Sequence, residues 1–351
     1  MNDALANTKL SCRHVWKVYN VDAAPQFQHE VANADPEDLA NRMRAEGAIP
    51  AAVDVSFDVG AGEIFVIMGL SGSGKSTVVR CLSRLVEPSF GEILLDGEDL
   101  LKRSSKELIE IRRHKMGMVF QSFGLMPHLS VAENVAFPLR LQGLSEPEQR
   151  ERAARVIELV GLQGRESSFP RQLSGGQQQR VGIARSLAVE PEMWFLDEPF
   201  SALDPLIRRQ MQDEFLRIQS ALKKSIVFIT HDFQEALRIA DRMMIMRDGL
   251  VVQMGTPAEL VLNPIDDYVA EFTSDVPLAR VLCARDIMQR DAEDGALPAT
   301  RVAASTIIEE LLPSLSSVDA VSVVEDDQPV GVITQQCVIA ALARGGHPGK
   351  Q

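Results

Sequence analysis

The densest run of chemistry-bearing residues is Gly69-Leu70-Ser71-Gly72-Ser73-Gly74-Lys75-Ser76-Thr77, directly after the apolar stretch Ile64–Met68. Glycines let the backbone curl until successive N–H groups face one anion, and a helix starting there adds its positive end. The spacing G-x-x-x-x-G-K-[ST] therefore reads as a phosphate cradle. Its candidate binding residues are Gly69, Ser71, Gly72, Ser73, Gly74, Lys75, Ser76 and Thr77. Lys75 is expected to reach the β- and γ-phosphates of a nucleotide, and the Ser76 hydroxyl to meet Mg²⁺. A second cluster ends the apolar run Met193-Trp194-Phe195-Leu196 in Asp197-Glu198-Pro199. Carboxylates at the end of a buried strand sit where open α/β sheets bind ligands. Asp197 is placed to hold Mg²⁺ through water, and Glu198 to orient and deprotonate an attacking water.

These groups need a scaffold of strands whose ends converge. Short β-rich runs alternate with longer helical stretches, which predicts an α/β core with a mostly parallel sheet. The expected core strands are 64–68, 116–120, 193–196, 226–230 and 243–246, each nearly continuous in apolar character, as strands buried on both faces are. Between Gln121 and Ser174 the pattern turns helical. Ser145 to Glu148 has the form of a capping box, followed by a periodic segment ending at Gly161. This stretch, about 122–173, is read as a helical subdomain inserted into the core. A polar, proline-punctuated insertion spans 22–50, with a short helix over 37–46. Residues 280–346 form a separate small α+β unit, with a helix over 307–312, strands over 320–325 and 330–333, and a last helix over 338–344.

Composition narrows the class. The 351 residues are 45% hydrophobic and 24% charged, the balance of a soluble globular protein. A formal net charge of -13 argues against a broad nucleic-acid grip. No apolar stretch approaches bilayer length, and the first ten residues lack the form of a secretory signal. Cys12, Cys81, Cys283 and Cys337 are scattered, which favours free thiols in a reducing compartment over a disulfide framework or a zinc site. Work at a membrane would therefore require docking through a partner.

Leu173-Ser174-Gly175-Gly176-Gln177-Gln178-Gln179-Arg180, shortly before the second carboxylate-bearing strand, resembles the signature of ABC-type ATPases. Taken alone it could be a Ser-Gly-Gly turn capping an ordinary helix; in its ordered series it identifies the family, over roughly residues 9–275. The resemblance implies a P-loop ABC ATPase core with an antiparallel β edge, binding ATP and Mg²⁺. Gln121 matches the lid glutamine that senses Mg²⁺ and couples to a permease. Ser201-Ala202-Leu203-Asp204 matches the loop that communicates across the dimer, and His231 the switch histidine contacting the γ-phosphate. Tyr19 matches the aromatic that stacks on adenine, with Trp16 as its rival. In that family two copies sandwich two ATPs head to tail. Ser174, Gly175, Gly176, Gln177 and Asp204 would then meet the nucleotide of the opposite subunit, while Lys75, Glu198 and His231 form the catalytic set.

Finer resemblance, in residues 63–80, 119–128 and 200–208, points to importer ATPases for osmoprotectants: glycine betaine, proline betaine, choline or proline. Pro199 stands where many betaine-type relatives carry a small residue, which loosens the substrate assignment but not the catalysis. The partners implied are a second ATPase subunit, an integral-membrane permease and a periplasmic or extracellular substrate-binding protein, with no nucleic acid. The implied location is peripheral, on the cytoplasmic face of the inner membrane. The segment from Ala284 to Thr334 resembles a single CBS module, which either pairs between subunits, has lost a sensing role, or merely aids dimerisation. Rival readings are an importer of another amino acid such as histidine, a soluble ABC ATPase outside transport, and a nucleotide-binding regulator that hydrolyses little.

Overall fold

The computed structural model describes residues 7–20, 27, 29–121, 124–274, 276–289, 298–325 and 327–344. The signal-peptide reading at residues 1–6, part of the insertion at 21–26 and 28, the start of the helical subdomain at 122–123, and 290–297 and 345–346 of the last unit lie outside them. The chain divides into two compact units, 1–252 and 253–351.

In the first unit the elements run β1 (Thr8–Tyr19), α1 (Pro36–Ala45), β2 (Ile49–Gly60), β3 (Ile64–Met68), α2 (Lys75–Leu82), β4 (Phe90–Leu95), β5 (Glu98–Asp99), α3 (Ser105–His114) and β6 (Met116–Val119). Then come α4 (Val131–Leu141), α5 (Glu146–Leu159), α6 (Gly175–Leu187), β7 (Met193–Asp197), α7 (Pro205–Leu222), β8 (Ser225–Ile229), α8 (Phe233–Ile239) and β9 (Arg242–Arg247), followed by β10 (Leu250–Gly255), which runs across the division at 252. Strand order in the larger sheet is β10-β9-β3-β8-β7-β6, and β9, β3, β8, β7 and β6 pair in parallel. Every residue of β3, β7 and β8 is buried, as a sheet covered on both faces requires. The antiparallel part is a four-stranded sheet of its own, β2-β1-β4-β5. The strand expected over 116–120 stops at Val119, and Phe120 is part-exposed on the way to Gln121.

Local sequence sets the helix boundaries. Asp35 caps α1 by accepting from the N–H groups of Glu37 and Asp38, and Pro36 supplies the first helical φ. Behind this helix lies a satellite core of Trp16, Val18, Phe27, Leu39, Met43 and Val53, so part of the polar insertion is a folded flap over one face of β1. In the helical subdomain the Glu133 carboxylate accepts from both Ser130 N and Oγ at the start of α4, and Glu148 does the same for Ser145 at the start of α5.

The second unit holds short helices α9 (Pro257–Leu262), α10 (Asp267–Thr273), α11 (Leu278–Val281) and α12 (Ala284–Ile287), then β11 (Arg301–Ala303), α13 (Ile308–Leu315), β12 (Ala320–Glu325), β13 (Gln328–Thr334) and α14 (Gln335–Arg344). β11 pairs parallel and β13 antiparallel with β12, over a core of Leu282, Ile308, Leu311, Val321, Val323 and Ile333. All four cysteines are free thiols.

Candidate functional site

Sheet order explains how motifs far apart in the chain meet. β8 lies between β3 and β7, so the glycine-rich loop after β3, the carboxylates ending β7 and His231 beyond β8 leave the same edge of three adjacent strands. β6 is the next strand over and delivers Gln121 to that edge.

The loop after β3 is held from behind by backbone. A Cβ at Gly69, whose φ is +146°, would lie 2.3 Å from the Met246 carbonyl oxygen; at Gly74, with φ +100°, it would lie 2.1 Å from that of Ala51. Gly249 N donates to Ser73 O at 3.1 Å, and Val53 N donates to Gly249 O at 2.9 Å. The loop therefore rests on the β9–β10 turn and the start of β2. These supports, Ala51, Met246 and Gly249, were not anticipated from sequence; the Asp248-Gly249 pair is an ordinary hairpin signal that could have located one of them.

Helix α2 opens at Gly74 with no side-chain cap, so its first N–H groups are free to take an anion. The Ser73 hydroxyl is buried with no hydrogen-bond partner among the described residues, and Lys75 Nζ donates to the Gly69 and Leu70 carbonyls at 2.8 Å. Burial lowers the Lys75 pKa, while Glu198 and Asp197 act to raise it. Donors gathered around a concave loop, one of them orphaned, are what a phosphate chain would satisfy. Ser71 and Gly72 stand exposed at the tip, with Thr77 partly buried in the first turn of α2.

Ser76 Oγ donates to Asp197 Oδ1 at 2.9 Å, and burial pushes the Asp197 carboxyl above its usual range despite that bond. Among the described residues no group of three or more His, Cys, Asp and Glu could hold a metal. A hydroxyl and one carboxylate suit Mg²⁺ only if phosphate oxygens and water complete its shell, which is how that ion is usually held. The residues present fit that arrangement.

Glu198 stands at φ +46°, a left-handed conformation costing a non-glycine residue about 1–3 kcal/mol. It is held there by Glu198 N donating to Ile229 O at 3.1 Å and by the Ser201 hydroxyl donating to Glu198 O at 2.9 Å. The result is one carboxylate oxygen, Oε2, accepting from Gln121 Nε2 at 3.1 Å and lying 3.2 Å from His231 Nδ1. Ser201 thus has a role beyond opening the loop to Asp204: it fixes Glu198.

The remaining residues fall in two places. Tyr19 ends β1 paired with Ile49, two residues from the Ala51 carbonyl behind Gly74, and its ring is part-exposed with Lys17 Nζ 4.8 Å from the centroid. Trp16, the rival aromatic, is fully buried in the satellite core and offers no face to a base. Ser174 caps α6, accepting from Gln177 N while its own N donates to Gln177 Oε1 at 3.0 Å. Gly176 packs so closely on Ile207 that a Cβ would meet its Cγ2 at 2.7 Å, and Gly175 faces Leu203. Asp204 caps α7 by accepting from Leu206 N and Ile207 N. The signature segment and the Ser201–Asp204 loop thus meet each other.

A parallel sheet carrying a glycine-rich phosphate loop, an Asp-Glu pair and a switch-type histidine on adjacent strands defines a nucleotide-hydrolysing cassette. The ABC transporter family model matches residues 52–201. The trimethylamine N-oxide transport system ATP-binding protein of Ruegeria pomeroyi is 52% identical over 337 residues, 95% of this chain and 97% of the relative. The glycine betaine/proline betaine transport system ATP-binding protein of Escherichia coli is 47% identical over 282 residues, 80% of this chain and 70% of its own. The dimeric ATP-binding cassette MJ0796, in a post-hydrolysis state bound to ADP and Pi, superposes with a TM-score of 0.58 at 32% identity, covering 70% of this chain and 98% of that one. The chain belongs to the ABC transporter family, as an ATP-binding and ATP-hydrolysing subunit.

Proposed function

We propose that this subunit powers uptake of a small methylated amine solute, trimethylamine N-oxide or glycine betaine, through a membrane permease. The convergence of Gln121 and His231 on one Glu198 oxygen, beside the Ser76–Asp197 pair, carries the catalytic part of this reading. The α2 N-terminus, Ser73 and Lys75 bind the phosphates, and Tyr19 stacks on adenine. Ser76 and Asp197 would hold Mg²⁺, which would supply positive charge against that developing on the phosphates. Glu198 takes a proton from the attacking water, Gln121 and His231 fix its carboxylate, and His231 contacts the γ-phosphate. Ser174–Gln177 and Asp204 serve the ATP of a second copy, so nucleotide binding closes the dimer and hydrolysis reopens it.

The substrate class rests on the relatives' names. The sequence reading centred on quaternary amines; a relative matched along 97% of its length is named for an amine N-oxide, which widens the class to methylated zwitterions. A partner surface is also available. An apolar groove of about 510 Å³ flanks Gln121, walled by Ile109, Phe120, Met126, Phe137 and Leu141, three of which expose large apolar area. It suits a short cytoplasmic segment of the permease, and that fit supports a position at the inner face of the membrane; among the described residues no helix is long and apolar enough to cross it. The second unit we read as a single CBS-like module, regulatory or an aid to dimerisation. The test is ATP-dependent uptake of labelled trimethylamine N-oxide, glycine betaine, choline and histidine into vesicles holding this chain with its cognate permease and binding protein. Uptake of either methylated zwitterion, lost in Lys75→Ala, supports the reading; uptake of histidine alone overturns the substrate class.

A further inference from the structure

The turn that carries His231 is tied to one helix at two points, Asp232 and Glu235. On its downstream side the Asp232 carboxylate receives Arg208 Nη1 at 3.3 Å. Further on, Glu235 N donates to Asp232 Oδ1 at 3.1 Å, and the Glu235 carboxyl accepts from Gln212 Nε2 at 3.0 Å. Arg208 and Gln212 stand one turn apart on α7 and so share a face. The other arm of the guanidinium, Nη2, donates to the Leu203 carbonyl at 3.2 Å, inside the Ser201–Asp204 loop. One planar group therefore grips that loop with one nitrogen and the residue after His231 with another. Gln212 and Glu235 are buried, and satisfied polar contacts in a dry interior hold fixed geometry. Beneath them Phe200, Phe215 and Phe228 pack ring against ring, joining the same loop, α7 and β8.

We propose that Arg208 is a positioning residue that makes the Ser201–Asp204 loop and the His231 turn move as one piece. Displacement of the loop by a second copy of this chain is thereby delivered to His231, and through it to Glu198. The inference rests on the proposed reading that this loop faces the second copy and that His231 acts in hydrolysis. A lysine cannot replace the arginine, because a point donor does not span two acceptors held by a rigid fork. Arg217, further along α7, pairs with Glu214 and donates to the Leu159 carbonyl without touching these groups, and so provides the control.

The experiment is steady-state ATPase activity against ATP concentration, with the whole 351-residue chain assembled with its permease. Arg208→Ala is expected to lower kcat about 10- to 100-fold with KM changed less than about twofold, and to bring the Hill coefficient to about one. Arg208→Lys should stay low and Arg217→Ala near wild type. Added to His231→Ala, Arg208→Ala should cause no further loss, since both act through one group. Asp232→Asn, which weakens the link from its other end, serves if Arg208→Ala does not fold. Unchanged kcat and Hill coefficient, losses that add to those of His231→Ala, or a fall in kcat matched by KM and thermal stability would each overturn the linkage. Full kcat in His231→Ala would instead overturn the reading of the site, and the linkage with it.

Discussion

Two carboxylates decide most at the residue scale. Glu198 is held in a strained backbone conformation with its acceptor oxygen shared by Gln121 and His231, the posture of a base rather than of a surface acid. Glu198→Gln keeps size and removes basicity, so phosphate release should fall by about 10²–10⁴-fold while ATP binding persists. Turnover near wild type in that variant would remove Glu198 from the role of base. Glu235 is the converse case, a buried carboxyl whose pKa is raised chiefly by desolvation, with Thr230 and Gln212 pulling it back. The native state then keeps this proton to a higher pH than the unfolded chain does. Stability from this group is complete below the unfolded value and is lost as pH rises through the native one. Glu235→Gln removes that slope. Melting temperatures compared at about pH 5 and about pH 8 should show the variant gaining on wild type as pH rises; a constant difference would mean that Glu235 does not titrate in this range.

For the elements, the decisive feature is how closely backbone approaches backbone behind the phosphate loop. Gly74 combines positive φ with the Ala51 carbonyl 2.1 Å from any added Cβ, whereas Gly72, at φ +85°, has nothing within 4 Å. Gly72→Ala should therefore cost only the left-handed penalty of about 1–2 kcal/mol. Gly74→Ala must also push β2 away, and should cost more stability and weaken nucleotide binding. Thermal unfolding and equilibrium ATP binding of the two variants give the comparison, and equal losses would contradict this account of the loop's support.

The whole molecule is an engine whose output depends on what it touches. If the apolar groove beside Gln121 receives a permease segment, a charge placed in it should uncouple the two activities. Leu141 is 47% exposed, so Leu141→Asp is tolerated by the fold. It should leave ATP hydrolysis by the isolated chain near wild type while uptake into vesicles falls about tenfold or more, since a hydrated carboxylate, even with Arg112, Arg113 and Arg185 lining the same groove, resists burial against an apolar segment. Uptake and hydrolysis both unchanged would place the permease elsewhere.

The amino-acid sequence determined which chemistry-bearing residues would gather at one sheet edge and the strands that bear them. Phosphate chemistry demands particular residue types at short range, and strands buried on both faces announce themselves as unbroken apolar runs, as Ile64–Met68 and Met193–Leu196 do. Helix starts were equally legible at Ser145, because a cap is a local bargain between a side chain and the next turn's N–H groups. The antiparallel strands β2 and β4 were less so, since half-buried strands alternate and blend into polar surroundings. Trp16 and Tyr19 mark the boundary most clearly. Period-two alternation sets them on opposite faces of β1, but only the fold could say that α1 covers the face bearing Trp16 and leaves the Tyr19 ring part-exposed. Burial belongs to neighbours brought from elsewhere in the chain. For the same reason the reach of Arg208 to Asp232 could not be read in advance: it joins groups 24 residues apart that become adjacent only once β7 and β8 lie side by side.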